Sequence, residues 1–392
     1  MAAIASLTPA RAPLALATRR VASVLAFALV PGILLAGFLV AGAANDPAFD
    51  FRQFWQGGRD VLDGASPYPA AESLPSAEQG RGLTPQEIQD VFRFPYPAPA
   101  AVALLPFATL PFAIASWMVI ALLVAAVPLT LRIVGVSDWR CYGVAFAWIA
   151  TLGAIRLGTL TPLLALGLAV AWRYRDRRLV VAGSVAGVIV LKLFLWPLLV
   201  WLVATRRVGA ASAAAGAAAA ATVAAWAAIG FDGMLDYPAL LGRLAESVQD
   251  AGYSVVALGT SLGAPGGVSR AVAVAAAIAV VAATATRAQH EGRDLAVFAA
   301  SLAAALLLSP IVWLHYLYVL IVPIAVARPR LTGLWLLPLL LWASPFQESG
   351  GDTWRIALAF AVAAGALGAV ALGRGAGQAA PASAGVAAHG GA

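Results

Sequence analysis

Apolar runs of roughly 20 residues recur along the chain, separated by short polar stretches that hold most of its charge. Within a bilayer each run must satisfy its own backbone hydrogen bonds, so the pattern predicts an all-α polytopic bundle. Twelve spans fit it: 21–42, 99–131, 141–155, 159–172, 179–191, 193–205, 209–230, 268–286, 295–309, 312–327, 331–345 and 355–372. The long second span is expected to break at Pro106 or Pro111, since proline removes a helical hydrogen bond. The alternation that marks a membrane β-barrel is missing.

Basic clusters label the cytoplasmic side of membrane proteins. Here they are Arg11/Arg19/Arg20, Arg132/Arg140, Arg173/Arg175/Arg177/Arg178, Arg206/Arg207, Arg287/Arg293, Arg328/Arg330 and Arg374. Placing all of them inside puts both termini in the cytoplasm and leaves 43–97, 231–266 and 346–354 outside. Residues 1–20 form a cytoplasmic N-terminal segment, 21–372 the membrane domain, and the Ala/Gly/Pro-rich 373–392 a disordered cytoplasmic tail. "AGA" at 41–43 resembles a signal cleavage site, but the run before it is too long for a typical signal peptide and is read as a retained anchor. Of 18 acidic residues, 14 fall outside, eight of them in 43–97. They played no part in building the path and so support it.

On this path 141–172 and 179–205 each start and end inside, so each is a hairpin, with outer apices at "RLGTLTP" (156–162) and "LKLFLWP" (191–197). Their arms reach only about 20–23 Å, short of the roughly 30 Å hydrocarbon core. Such apices have to be sheltered by protein or line a water-filled cavity that opens outward.

Composition agrees. The chain has 392 residues, 62% apolar and 11% charged, against about 25% charged in soluble domains. The net charge of +7 is spread along the loops, not gathered on one solvated face, which argues against nucleic-acid binding. Cys141, the sole cysteine, has no intramolecular disulfide partner.

Few side chains stand out as chemistry. Lys192 is the only lysine and lies at membrane depth, where a cation costs about 2.5–3.5 kcal/mol; it either snorkels to the interface or holds an anionic lipid headgroup. Arg156, Arg270 and Arg355 also sit at outer span ends. His315, just past Pro310 in "SPIVWLHYLYV", is either a satisfied interfacial residue or a hydrogen-bond donor and proton relay. His290 and His389 fall inside, and no metal-ligand spacing occurs. Asp50 precedes "FRQFWQGGRDVL", in which Phe51, Phe54, Trp55 and Leu62 recur at helical spacing, the pattern of an amphipathic helix at the outer interface. Asp50 reads either as that helix's N-cap or as a carboxylate able to deprotonate a sugar hydroxyl. Asp46, Asp60 and Asp63 read as solvated charges.

Five blocks in order, "FDFRQFWQGGRDVLDGASPY", "FPYPAPAAVALLPFATLPFAIASW", "LGTLTPLLAL", "AGSVAGVIVLKLFLWPLLV" and "LLLSPIVWLHYLYVLIVP", resemble glycosyltransferase family 87, the polyprenyl-phosphate-mannose-dependent α-mannosyltransferases. They cover about residues 45–325. The resemblance implies a GT-C-type bundle with short broken helices, an active site at the outer face and a first outer loop bearing an essential aspartate. Carried over by motif, that aspartate is Asp50, the lysine before an apolar-Pro stretch is Lys192, and the histidine of the Ser-Pro-x-x-Trp-x-His pattern is His315, with Trp313 beside it. Tyr68 matches the Pro-Tyr that ends the first block and Tyr96 the aromatic of Tyr-Pro. Thr159 and Thr161 stand where relatives have Gly-Gln-x-Asn, and Ser261 lies in Gly259-Thr260-Ser261 where they have Asn-Gln-Ser ahead of an arginine, here Arg270.

The resemblance implies an inverting transfer of a sugar, mannose in most of the family, from a polyprenyl-phosphate donor to a glycolipid or glycan acceptor at the extracytoplasmic face of the cell membrane. Asp50 is the expected base; Lys192, His315, Arg156 and Arg270 are expected to bind the donor phosphate; Tyr68, Tyr96, Thr159, Thr161, Ser261 and Trp313 to line the pocket. No cofactor, resident metal or nucleic acid is implied. Two other readings stay open: a transporter or lipid flippase with Lys192 and Arg156 along its route, and an inactive assembly partner.

Overall fold

A computed structural model describes residues 18, 20–45, 48–70, 73–76, 79–80, 83–285, 294–344 and 352–373. Asp46, His290, His389, most of the N-terminal segment 1–20, most of 346–354 and the tail from 374 onward lie outside the described residues.

The described chain is helical, with no strand among the described residues. Five helices are long and apolar enough to cross a membrane: Arg20–Ala44, Phe112–Ile133, Val208–Ala228, Gly266–Ala285 and Thr353–Leu372. A sixth crossing is counted if Ile149–Leu157 and Thr161–Arg173, bent by 117°, form one span. Shorter apolar helices cover 178–191, 193–204, 294–308, 314–327 and 333–343. The expected hairpin arms are thus short in the structure as well, and the first of them is shorter still. Trp148 adopts an extended conformation and divides it into Trp139–Ala147 and Ile149–Leu157.

The predicted proline break is present in two places. Helix Ala98–Ala103 stops at Leu104, Leu105–Ala108 stops before Pro111, and Phe112–Ile133 then runs unbroken past Pro128. Both breaks place a proline in the first turn or at the cap of the next helix, where its missing N–H costs nothing. A third break falls at Lys192. The chain leaves Arg178–Leu191 in an extended conformation (φ −154°, ψ 104°) and restarts as a short 3₁₀ turn, Leu193–Leu195. A fourth is the seven-residue 3₁₀ helix Leu314–Leu320, which leads into Ile321–Ala327. Runs of 3₁₀ longer than 3–4 residues are uncommon and often mark functional positions.

Helix Arg178–Leu191 packs on Val208–Ala228 and Thr161–Arg173, while Asp294–Leu308 packs on Gly266–Ala285 and Thr353–Leu372. One carboxylate joins several of these elements at one end of the bundle. Asp294 accepts from Trp201 Nε1 at 2.6 Å, Arg207 at 2.8 Å and Arg175 Nε at 3.0 Å, and Arg207 also reaches Asp176 at 2.9 Å. Trp172, Trp201 and Phe298 pack beneath it with centroids 4.9–6.2 Å apart. A second clasp is polar and outside the spans. Asp138 accepts from Arg140 at 2.7 Å and from the Leu331 backbone at 3.1 Å, and the Arg140 guanidinium, more than any other group, holds the Asp138 carboxyl down at about 2. A depressed carboxylate contributes stability above its unfolded value of about 3.9 and loses it as pH falls through the folded value, so this clasp is intact throughout the neutral range.

The stretch between the first two spans is built on aromatic contacts. Helix Phe49–Leu62 buries Phe51, Gln53, Phe54, Gly57 and Gly58. Phe54 stacks on Tyr96 at 3.9 Å and meets Phe94 edge-on at 6.1 Å; Phe51 meets Phe107 and Phe112. Pairs of this kind add about 0.5–1.5 kcal/mol each beyond area burial. The apolar face predicted to lie on lipid is therefore packed on protein. Leu62, counted in that stripe, is 47% exposed, while Gly57 and Gly58 are buried. A side chain at Gly57 would run into the Phe94 ring, which explains why the smallest residue faces it.

Candidate active site

Asp50 sits in the first turn of helix Phe49–Leu62. The N-cap is Ala48, not Asp50, so the capping alternative fails. At the helix N-terminus a carboxylate gains about 0.3–1 kcal/mol from the macrodipole. Ala48 itself adopts a left-handed conformation (φ 57°, ψ 50°), which costs an alanine about 1–2 kcal/mol. What holds it there is contact with the next hairpin: the Ala48 N–H donates to the Arg156 carbonyl at 3.2 Å, and Ala48 and Phe51 lie against Gly158.

Gly158 ends helix Ile149–Leu157 at φ 71°. A Cβ there would come 2.7 Å from Ala48 Cβ and 2.8 Å from Phe51 Cβ, with the backbone strained as well. Gly158→Ala is accordingly expected to cost about 1–2 kcal/mol from the backbone alone, and to push Asp50 out of register with Arg156. Thermal unfolding of the detergent-purified protein checks it; an unchanged midpoint would show that this seat is not tight.

A cavity of about 870 Å³ opens beside Asp50. Its wall includes Asp50, Arg156, Lys192, His315, Tyr96 and Trp313, brought together from five separate stretches of the chain. Each arrives at a break in regular structure. Arg156 is at the end of a helix, Lys192 at an extended link, and His315 in the 3₁₀ segment. Both Lys192 and His315 are buried, at 8% and 4% exposure. The Lys192 ammonium lies 3.7 Å from the centroid of the Tyr316 ring, and Asp50 interacts electrostatically with Lys192, Tyr96 and Tyr316. Gln89 donates to the Phe49 carbonyl at 3.3 Å and to Asp50 Oδ1 at 3.5 Å, tying the short helix Pro85–Val91 to the catalytic candidate. That helix is fixed by a capping box in which Thr84 and Glu87 exchange hydrogen bonds.

Beyond the polar groups the wall is apolar. Leu193, Phe194, Trp196, Leu308 and Ile311 follow or flank the cations, and Leu193 and Trp196 are 42% and 48% exposed. The floor near His315 is braced by the Ser309 hydroxyl, which donates to the Ile311 carbonyl at 2.5 Å, and by the Tyr253 N–H, which donates to Val312 at 2.7 Å.

Five expected site residues do not line the cavity. Arg270 is exposed on helix Gly266–Ala285, and Ser261 is exposed, its hydroxyl donating to the Leu258 carbonyl at 2.8 Å. Thr159 and Thr161 are buried, and the Thr159 hydroxyl donates to the Thr161 hydroxyl at 3.2 Å across the hairpin turn. Tyr68 is buried one layer behind. Its hydroxyl donates to the Tyr96 carbonyl at 2.8 Å and its ring stacks on Trp226 at 4.7 Å. Burial, then the neighbouring Tyr237, push the Tyr68 phenol up from its ordinary range, so it remains a neutral donor that supports Tyr96. Conversely Tyr316, Gln89 and Gln53 line the cavity without having been singled out. Tyr316 had a signal, its adjacency to His315 in a segment interrupted by Pro310; the two glutamines had none. Among the described residues no three His, Cys, Asp or Glu side chains gather.

No curated protein and no solved structure matches the chain. A family model does, over residues 94–310, more than half of the sequence. The match contains Tyr96, Arg156 and Lys192, whereas Asp50 lies before it and Trp313 and His315 just after. Apolar helices of membrane-crossing length, a cavity that gathers one carboxylate and three basic side chains, and this match lead to one conclusion: the chain belongs to glycosyltransferase family 87 and is a membrane glycosyltransferase.

Proposed function

We propose that the protein transfers a sugar, mannose in the first instance, from a polyprenyl-phosphate donor to a glycolipid or glycan hydroxyl at the extracytoplasmic face of the cell membrane. The observation that carries this reading is the shared cavity of Asp50, Lys192, His315 and Arg156. Asp50 takes the acceptor proton as the hydroxyl oxygen attacks the anomeric carbon. The bond from that carbon to the phosphate oxygen breaks, and its electron pair leaves with the lipid phosphate. A single displacement of this kind inverts the anomeric configuration.

Lys192, His315 and Arg156 meet the charge that develops on the leaving phosphate, where preorganised donors in a water-poor site act most strongly. Leu193 and Trp196 give the cavity an exposed apolar edge beside those cations, suited to the donor's tail. Tyr96 and Trp313 offer aromatic faces to a sugar. Arg270, Ser261, Thr159, Thr161 and Tyr68 are left with supporting roles at most.

The reading is tested by incubating purified protein with radiolabelled polyprenyl-phosphate mannose and envelope glycolipids. Label should appear in an acceptor with α configuration if the donor is β. Failure of any label to transfer would overturn it.

Its sidedness has a separate check. Cys141 is fully buried, so single cysteines can be placed against a quiet background. Pro75→Cys and Asp250→Cys should react with an impermeant thiol reagent in intact cells, whereas Asp176→Cys should not. The reverse pattern would move the cavity to the cytoplasmic side.

A further inference from the structure

Tyr316 has no role in the scheme above, yet it sits in the middle of the cationic wall. The Lys192 ammonium lies over its ring at 3.7 Å. Phe194 stacks on the ring at 5.0 Å with planes 27° apart, and His315 tilts against it at the same separation. The ring is 9% exposed and borders the cavity. It is therefore immobilised by neighbours on two interrupted segments, 192–196 and 310–320.

Lysine contrasts with it. Its four-carbon stem loses rotamer freedom when fixed, and an unguided ammonium would sample several positions in a cavity this size. An aromatic face attracts an ammonium most strongly where water is excluded, which offsets that loss. The ammonium has three N–H donors, so one side can rest on the ring while others stay directed at an anion.

We propose that Tyr316 is a positioning residue: its ring, fixed by Phe194 and His315, holds the Lys192 ammonium ready for a lipid-linked phosphate. The inference rests on the reading of Lys192 as a phosphate-binding group. It assigns the work to the ring face, with the phenolic hydroxyl secondary.

The experiment measures binding of a polyprenyl monophosphate without sugar to the purified full chain in detergent, with the matching polyprenol as the neutral control. Tyr316→Leu should weaken phosphate binding about tenfold, in line with a desolvated cation–π contact, and leave polyprenol binding unchanged. Tyr316→Phe should recover most of the loss. Phenylalanines of increasing fluorination incorporated in place of Tyr316 keep the shape while draining the π face, and affinity should fall in step with fluorine number. The double variant Lys192→Met/Tyr316→Leu should bind no more weakly than Lys192→Met alone, because both remove one interaction.

Native affinity in Tyr316→Leu, a flat fluorination series, or losses that add in the double variant would each overturn the inference. If Tyr316→Leu fails to fold, the fluorinated series decides alone. If Lys192→Met binds the phosphate as tightly as the native chain, the assignment of the site falls instead, and the two failures are thereby told apart.

Discussion

Asp50→Asn is expected to lower sugar transfer by at least about 100-fold, the lower end of what general base catalysis contributes, with little change in donor binding. The amide keeps the shape of the carboxylate and its place in the first turn of helix Phe49–Leu62. It also keeps an oxygen for Gln89 to donate to. What it loses is the ability to accept the acceptor's proton. A thermal midpoint close to that of the native chain would assign the loss to chemistry and not to folding. Transfer at the native rate would remove Asp50 from the mechanism, and with it the only carboxylate on the cavity wall among the described residues. The test is the more decisive because residue 50 lies ahead of the matched stretch 94–310, so family membership by itself says nothing about it.

The second large effect is expected from Lys192→Met. Methionine preserves much of the apolar stem and removes the charge, so packing beside Tyr316 is kept while the anion loses its buried cation. Losing one preorganised donor to a developing oxyanion typically costs about 100–1000-fold, or about 2.7–4 kcal/mol. The effect should fall on both kcat and the donor KM, since the phosphate carries charge in the bound donor and more of it as the bond breaks. Steady-state kinetics with varied donor separates the two. A KM increase with unchanged kcat would limit Lys192 to holding the donor, and no change in either would end its assignment.

Much of this arrangement was legible in the chain before any coordinates. Apolar run length predicted helices, and helices are what form; the arms around 156–162 and 191–197 were too short to span and are short in the structure. A sheltered or cavity-lining apex follows from that shortness alone, and Arg156 and Lys192 do border a cavity. The pairing of Asp50 with Lys192 and His315 came from resemblance, since nothing in residue spacing connects positions 142 residues apart. Finer detail was lost where regular structure stops. Helical periodicity tells which way a side chain turns only while the helix lasts, and Trp148, Lys192 and Leu314–Leu320 all interrupt it. Thr159 and Thr161 were expected in the pocket only because they occupy the Gly-Gln-x-Asn position of the resemblance; in three dimensions the Thr159 hydroxyl donates to that of Thr161. Tyr68, also placed there by resemblance, lies behind the wall, with its hydroxyl donating to the Tyr96 carbonyl. Twelve crossings were expected, and five or six helices reach crossing length; the shorter apolar helices leave the path between them to the labelling experiment.

The Asp294 junction lies far from the cavity. Helix Asp294–Leu308 has Asp294 at one end and Leu308, a cavity wall residue, at the other, about 21 Å away at 1.5 Å per residue. Arg178–Leu191 begins beside the same junction and ends at Lys192, and Thr161–Arg173 begins near Arg156 and runs toward Arg175. Charge thus ties these helices together at the end remote from the cavity wall.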